Sequence, residues 1–284
     1  MTDTNEKNAI VGGTLYLVAT PIGNMSDISE RAKKVLAEID FVAAEDTRNS
    51  GLMLSRLGIS KPMISYYEHN KAARGETIAA RLLAGESCAL ITDAGTPAIS
   101  DPGEDIVRLC AEKNIPVTSI PGCCAAVTAL TLSSLCTRRF CFEGFLPVEK
   151  KERRERLDAL TGEERTMIIY EAPHKLRGTL DDLCAAFGDD RKVALCRELT
   201  KINEEVARVT LGEAVETYKT REPRGEYVLV VDGAAKAADE YPEDIAEHVG
   251  MLESAGLSRM DAIKAAAKAR GVKKNDIYAA VAVK

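Results

Sequence analysis

Short apolar runs alternate with longer helical patterns through the first half of the chain. Thr14–Ala19, Phe41–Ala44, Met63–Ser65, Ser87–Ile91 and Pro116–Ile120 read as buried strands. Between them Ser29–Glu38, Asn49–Leu57, Ala72–Ala84 and Asp105–Lys113 carry helical spacing. Ser26 or Asp27 is placed to cap the first of these, and Gly58 and Gly85 to end the second and third. Strand and helix in strict alternation predict a mostly parallel sheet covered on both faces.

The second half repeats the alternation less regularly. Cys141–Gly144, Thr166–Tyr170, Val193–Arg197, Val206–Leu211 and Tyr227–Val231 read as strands, and Glu149–Leu160, His174–Phe187 and Glu213–Tyr218 as helices. This predicts a second α/β lobe with a mixed sheet, joined to the first near Pro121–Cys136. A polar, alanine-rich linker, Gly233–Glu240, leads to three helices at Ile245–Ser254, Arg259–Arg270 and Asn275–Val283, in the manner of a helix–turn–helix unit. The expected organisation is an α/β lobe over 1–122, a second over 123–235, and a basic helical appendage over 236–284.

Charge changes this picture in one place. The 284 residues sum to −6, which disfavours a polyanionic partner if charge were spread evenly. Residues 256–284, however, hold seven basic and two acidic side chains, so the remainder of the chain stands at −11. A basic tail on an acidic body points to an anionic partner. The stretch Glu149–Arg156 (EKKERRER) adds a smaller positive excess. The eight cysteines form no CxxC pair and mostly sit in apolar runs, as small buried thiols of a reducing compartment do. With three histidines, no metal centre is expected. The polar start, Met1–Asn8, does not read as a signal peptide, so none is expected, and no apolar run approaches the roughly 20 residues that span a bilayer. A cytoplasmic protein without membrane contact is expected.

Three loops stand where strand ends meet ligands in open α/β sheets. They are Thr20–Asn24, Thr92–Gly103 and Pro121–Ala125, all rich in Gly, Ala and Pro and poor in Lys and Arg. No GxxxxGK[ST] and no GxGxxG after the first strand occurs, so neither a P-loop nucleotide nor a dinucleotide is expected. A small zwitterion with an adenine ring suits them better. Glu45 and Asp46 lie beside Arg48 at the second strand's end, as acid–base machinery or as a helix cap with a surface ion pair. Tyr66 and Tyr67 open a cluster with Glu68 and His69, placed to stack on RNA bases. Tyr170, Glu171, Ala172 and His174 end a strand and open a helix, and Arg197, Glu198 and Lys201 form a charged wall.

TLYLVATPIGNMSDISERAKKVL (14–36), AAEDTRNSGLML (43–54), SYYEHN (65–70), LITDAGTPAISDPG (90–103), FEGFLP (142–147), YEAPHKL (170–176), CRELTKINEEV (196–206) and RGEYVLVV (224–231) occur in this order along nearly the whole chain. Together they resemble the tetrapyrrole methylase superfamily, and within it the branch that methylates small-subunit ribosomal RNA. The resemblance implies a two-lobed tetrapyrrole methylase-like α/β fold with a small C-terminal helical appendage, S-adenosyl-L-methionine between the lobes, and a homodimer. It implies transfer to the ribose 2′-oxygen of a cytidine in the decoding region of 16S rRNA, with the rRNA or the small subunit as partner. Carried over by motif, cofactor contacts fall on Pro21, Asp93, Ala94, Gly95, Ile99, Ser100, Gly122, Cys123, Cys124, Ala125, Tyr170, Ala172 and Gly225. Cys123-Cys124 departs from the small or hydroxyl residues that members often carry there.

A ribose hydroxyl is a poor nucleophile, so something must accept its proton. Glu45, Asp46, Glu171 and His174 are the candidates, the first two ranked ahead because they sit with Arg48. Arg48 and Lys201 are expected on a neighbouring phosphate, Tyr66 and Tyr67 on bases, and Arg259, Lys264, Lys268, Arg270, Lys273 and Lys274 on RNA more broadly. Two other functions compete: C-methylation of a porphyrin precursor, and a non-catalytic RNA-binding module.

Overall fold

The structure, a computed structural model, describes residues 9–235 and 241–282. The polar stretch Met1–Asn8, most of the linker expected at 233–240, and the last two residues lie outside them.

In the first half the strands β1 (Leu15–Val18), β2 (Phe41–Ala44), β3 (Met63–Ser65), β4 (Cys88–Ile91) and β5 (Val117–Ile120) alternate with helices α1 (Glu30–Glu38), α2 (Thr47–Arg56), α3 (Lys71–Leu83) and α4 (Glu104–Glu112). All strand pairs are parallel, in the order β3-β2-β4-β1-β5. Successive side chains of a strand point to opposite faces, and the packing follows that period. Val42 and Ala44 join the layer formed by α1 and α2. Phe41 and Ala43 join the layer formed by α3 and α4. Burial on both faces is why these strands read as unbroken apolar runs.

The second half contains α5 (Ala125–Leu132), β6 (Phe140–Phe145), α6 (Lys150–Leu160), β7 (Thr166–Glu171), α7 (Leu176–Phe187), β8 (Lys192–Arg197), β9 (Glu205–Thr210), α8 (Leu211–Thr220) and β10 (Tyr227–Val231). The sheet is mixed, in the order β6-β7-β10-β8-β9: β6 runs parallel to β7, and β10 lies antiparallel between β7 and β8. One face packs on α6, α7 and α8. The other packs on α5 through Ile168, Ala194, Cys196, Val228 and Val230. Both sheets belong to one compact unit that runs through Ala234.

The second unit begins at Ala235. Its helices α9 (Ile245–Ser254), α10 (Arg259–Arg270) and α11 (Lys274–Ala282) share a small core around Val249, Ile263, Ala266 and Ile277. Asp244 and Ser258 cap α9 and α10 through their side chains, and Gly271 ends α10 in a left-handed conformation.

Local details depart from expectation in three places. The α1 cap is Ser29, which accepts from the Ala32 N–H at 3.1 Å; Ser26 and Asp27 instead belong to a short 3-10 turn capped by Asn24. The segment expected as a joint contains α5. A 3-10 turn over Pro173–Lys175 precedes α7, so the helix begins two residues after His174. All eight cysteines are free, with Cys88, Cys110 and Cys196 buried but Cys136 exposed.

Candidate active site

A cleft of about 490 Å³ lies between the two sheets of the first unit. That volume falls in the range of sites for small organic ligands. One wall comes from the loop after β4, where Ala94, Gly95, Ile99 and Ser100 face the space. Cys124 and Ala125 at the start of α5 adjoin it, and Tyr170, Glu171, Ala172 and His174 supply the opposite side. The sequence thus brings these ten together across some 80 residues of chain, as expected when loops at strand ends build a site.

The loops hold one another. Thr20 and Gly95 exchange backbone hydrogen bonds at 2.9 and 3.1 Å, and the Thr20 hydroxyl donates to the Thr92 carbonyl. The Thr96 hydroxyl donates to the Cys123 carbonyl at 2.9 Å. The Tyr170 phenol accepts the N–H of Ala126 in the first turn of α5 at 3.1 Å, with Phe142 and Phe145 edge-on to its ring. Burial pushes that phenol up to about 12.

Five expected cofactor residues stand just outside the lining. Pro21 is buried beneath it, next to Ile22, which does face the cleft. Asp93 accepts from the Asn49 side-chain amide at 3.0 Å. Gly122 presses on Ala19, the residue after β1, because a Cβ there would come within 2.9 Å of the Ala19 Cβ. Cys123 contributes its carbonyl to Thr96. Gly225 (φ +77°) makes room for Glu198, whose Cγ would lie 2.4 Å from an added Cβ. Its conformational freedom therefore serves a side chain of this protein.

The proton-acceptor candidates separate by their partners. Asp46 caps α2, accepting from the Arg48 N–H at 2.8 Å and from its guanidinium at 2.9 and 3.2 Å. Arg48 holds that carboxyl down at about 2. Both the cap and the surface ion pair are thus present, and the Arg48 side chain is 89% exposed. Glu45 has its pKa raised, first by burial and then by the charges of Asp93 and Asp46. Glu171 is buried, accepting from the Ala172 N–H and from the Thr179 hydroxyl. His174 stands exposed at the cleft's rim.

The expected RNA contacts need two corrections. Tyr66 has no accessible surface and packs in the core beside Ile78 and Ile106, so it presents no ring to a base; Tyr67 is 40% exposed. Arg270 is consumed inside the second unit: it donates to the carbonyls of Pro242, Glu243 and Asp244 and to His248 Nδ1, and stacks over Tyr241. Lys201 is paired with Glu198 and Glu226, Arg259 with Glu253, and Lys264 with Asp261. Among the described residues, Lys268, Lys273 and Lys274 are exposed and make no salt bridge. On α6, Arg153 turns inward to Asp182 and Thr179.

Sequence reasoning did not single out Asp101, Phe145, Leu199, Glu226, Tyr227 or Val228, all of which face the cleft. Asp101 lies in the long loop after β4. Burial raises its carboxyl to about 6, with Glu45 and Asp93 adding repulsion and the Thr92 hydroxyl acting the other way. Among the described residues, no lysine or arginine lines the cleft. Among the described residues, no three His, Cys, Asp or Glu side chains come together as a metal site, and no helix is long and apolar enough to cross a membrane.

The family described as Tetrapyrrole (Corrin/Porphyrin) Methylases matches residues 14–215. Two curated relatives bear the name ribosomal RNA small subunit methyltransferase I. That of Escherichia coli O157:H7 is 44% identical over 268 residues, covering 94% of this chain and 93% of its own. That of Halalkalibacterium halodurans is 45% identical over 273 residues, covering 94% and 93%. Among solved structures, the uroporphyrin-III-C-methyltransferase of Thermus thermophilus superposes with a TM-score of 0.56 at 20% identity, covering 77% of this chain and 94% of that one. A diphthine synthase reaches 0.59 at 14% identity, covering 77% and 90%. At these identities the two structures speak for the fold alone.

Proposed function

The chain belongs to the tetrapyrrole methylase family, in the group of the ribosomal RNA small subunit methyltransferase I proteins, and from that premise we propose that it methylates the ribose 2′-oxygen of a cytidine in the decoding region of 16S rRNA. S-adenosylmethionine is the methyl donor. The observation that carries the reading is the cleft's charge. Three carboxylates, Asp101, Glu171 and Glu226, face it, and among the described residues no lysine or arginine does. A sulfonium with an ammonium group suits such a site, and a phosphate-bearing cofactor does not.

The residues present fit that donor. Small side chains at Ala94, Gly95, Ala125 and Ala172 let main-chain groups approach a ligand closely, while Tyr170, Leu199 and Val228 offer apolar surface to an adenine ring. When bound, the cofactor supplies an electrophilic methyl group. The chain's own task is to orient the ribose oxygen and hold water away, and orientation alone is worth several kcal/mol of barrier, on the order of 7–11 in the best cases. Tyr67, Lys268, Lys273 and Lys274 are the exposed groups suited to bases and phosphates. The same reading takes the working form to be a cytoplasmic homodimer, for which sedimentation gives the direct readout.

The decisive experiment supplies the full chain with S-adenosylmethionine and small subunits from a strain lacking the gene. The expected product is one cytidine whose 3′ linkage resists alkali and whose nucleoside is heavier by a methyl on the sugar. A methyl on the base, or transfer only to a porphyrinogen, overturns the proposal.

A further inference from the structure

Strand β6 is an edge strand of the second sheet, and its pairing with β7 slips by one residue. Phe142 lies opposite Ile168 and Gly144 opposite Ile169, so Glu143 is extra. Such bulges are rare between parallel strands, and they recur beside active sites, where they re-aim a side chain. The extra residue is anchored, because the Glu143 side chain is nearly buried and pairs with Arg156 of α6 at 2.5 Å. Gly144 accepts the bend with φ 62°, and a Cβ there would stand 3.0 Å from the Ser100 hydroxyl of the other lobe.

The slip inverts the direction of the side chains that follow it. In unbroken alternation Phe142 and Leu146 would share one face of the sheet, and Cys141 and Phe145 the other. Instead Leu146 packs with Cys141 on the side of α6, α7 and α8. Phe145 comes round to the side of Phe142, where it lines the cleft and meets the Tyr170 ring edge-on, with centroids 5.7 Å apart. Without the slip this ring would turn towards the helix-covered core. With it, Phe145 is 57% exposed. A single exposed apolar residue is ordinary in itself. A bulge that turns one away from the core and into a cleft is not.

We propose that Phe145 is the platform on which the base of the target nucleotide stacks while its ribose is methylated. The proposal rests on the 2′-O-methylation reading above. The inner apolar surface, at Leu199 and Val228, is buried and suits the ring of a small donor that is enclosed, whereas Phe145 stays open to a polymer that arrives from solvent. Carboxylates face the cleft and, among the described residues, no lysine or arginine does, so phosphodiester groups are repelled and an uncharged ring is admitted. A phenyl ring offers that base a flat apolar surface, and the unstacked bases of single-stranded RNA are commonly held on aromatic side chains. Stacking of this kind tolerates every base, so Phe145 holds the nucleotide in place and leaves the choice of cytidine to other groups.

The test uses the full chain, unmethylated small subunits and S-adenosylmethionine, and compares wild type with Phe145→Ala, Phe145→Leu and Phe145→Tyr. Steady-state rates give KM for the subunit, calorimetry gives cofactor affinity, and melting and sedimentation report the fold and the oligomeric state. Phe145→Ala and Phe145→Leu are expected to raise KM for the subunit about 5- to 100-fold while binding cofactor within about threefold of wild type. Phe145→Tyr keeps the ring and is expected to stay within about threefold of the wild-type KM. Leucine keeps apolar bulk without a ring, so an unchanged KM in Phe145→Leu overturns the proposal, and this variant decides if Phe145→Ala does not fold. A rise in Phe145→Tyr as large as that in Phe145→Leu overturns it too. Cofactor affinity that falls as far as KM rises gives the ring to the donor, and altered sedimentation gives it to a contact between copies; either result overturns the proposal. Wild type that marks a base or a porphyrinogen overturns the function and this inference together, whereas sugar methylation with an unchanged KM in Phe145→Leu overturns this inference alone.

Discussion

The hydroxyl of Thr96 donates to the carbonyl of Cys123, and this one bond joins the long loop after β4 to the turn before α5. Each segment alone is a strand–helix connection. Joined, they are a continuous wall, and Gly95 and Ala125 both face the cleft from it.

Thr96→Val keeps the volume and removes the bond. A part-buried carbonyl left without its donor costs about 1 kcal/mol, so the melting temperature is expected to fall by a few degrees and S-adenosylmethionine to bind several-fold more weakly through the loosened wall. Calorimetry against thermal melting separates the two effects. Cofactor binding within twofold of wild type would show that the wall does not depend on this bond.

Asp101 also predicts how stability varies with pH. Its carboxyl ordinarily titrates at 3.8 and stands near 6 in the folded chain. Folding therefore favours the protonated form, and that contribution is present below about 4 and lost as pH rises through 6. Above that, the folded protein carries a confined charge beside Glu45 and Asp93. Asp101→Asn is expected to raise the melting temperature at pH 8 and to leave it unchanged at pH 4. Equal melting temperatures at both values would contradict the raised carboxyl.

Arg270 predicts the behaviour of the helical unit. Its guanidinium gathers three consecutive carbonyls ahead of α9, a fan that a single ammonium does not reproduce. Arg270→Lys is expected to destabilise that unit by about 2 kcal/mol. Hydrogen exchange in α9 and α10 is the direct readout, and unchanged protection there would remove the role assigned to Arg270.

Lys273 and Lys274 predict an ionic effect instead. Neither makes a salt bridge among the described residues, so replacing both by alanine is expected to leave folding intact. If they meet phosphates, the dependence of RNA affinity on salt flattens by roughly 1.5 to 2 in log–log slope. An unchanged slope places the RNA contact elsewhere.

The parallel sheet was legible because its strands are buried on both faces and its helices are amphipathic, so both periods show in the sequence. Helix α5 was not. Its AAVTALTL is apolar nearly all round and lacks a side-chain cap, so it offered neither periodicity nor a start signal. Tyr66 and Tyr67 look alike in sequence, yet adjacent residues leaving a strand face opposite ways, and one went to the core. Arg270 counted as free positive charge because its acceptors are backbone carbonyls, which composition does not reveal. Gly225 was rightly a place of close approach, but the group approaching is Glu198. Asp101 was hidden for a different reason: its interest comes from Glu45 and Asp93, brought beside it only when β2 and β4 pair.

Strand β10 has one further consequence. It is the last strand made and yet occupies the centre of the second sheet, between β7 and β8. While the polypeptide is being synthesised, those neighbours have nothing to bridge them, and Glu226, Tyr227 and Val228 are missing from the cleft's lining. The cleft is therefore complete only when nearly the whole unit has emerged.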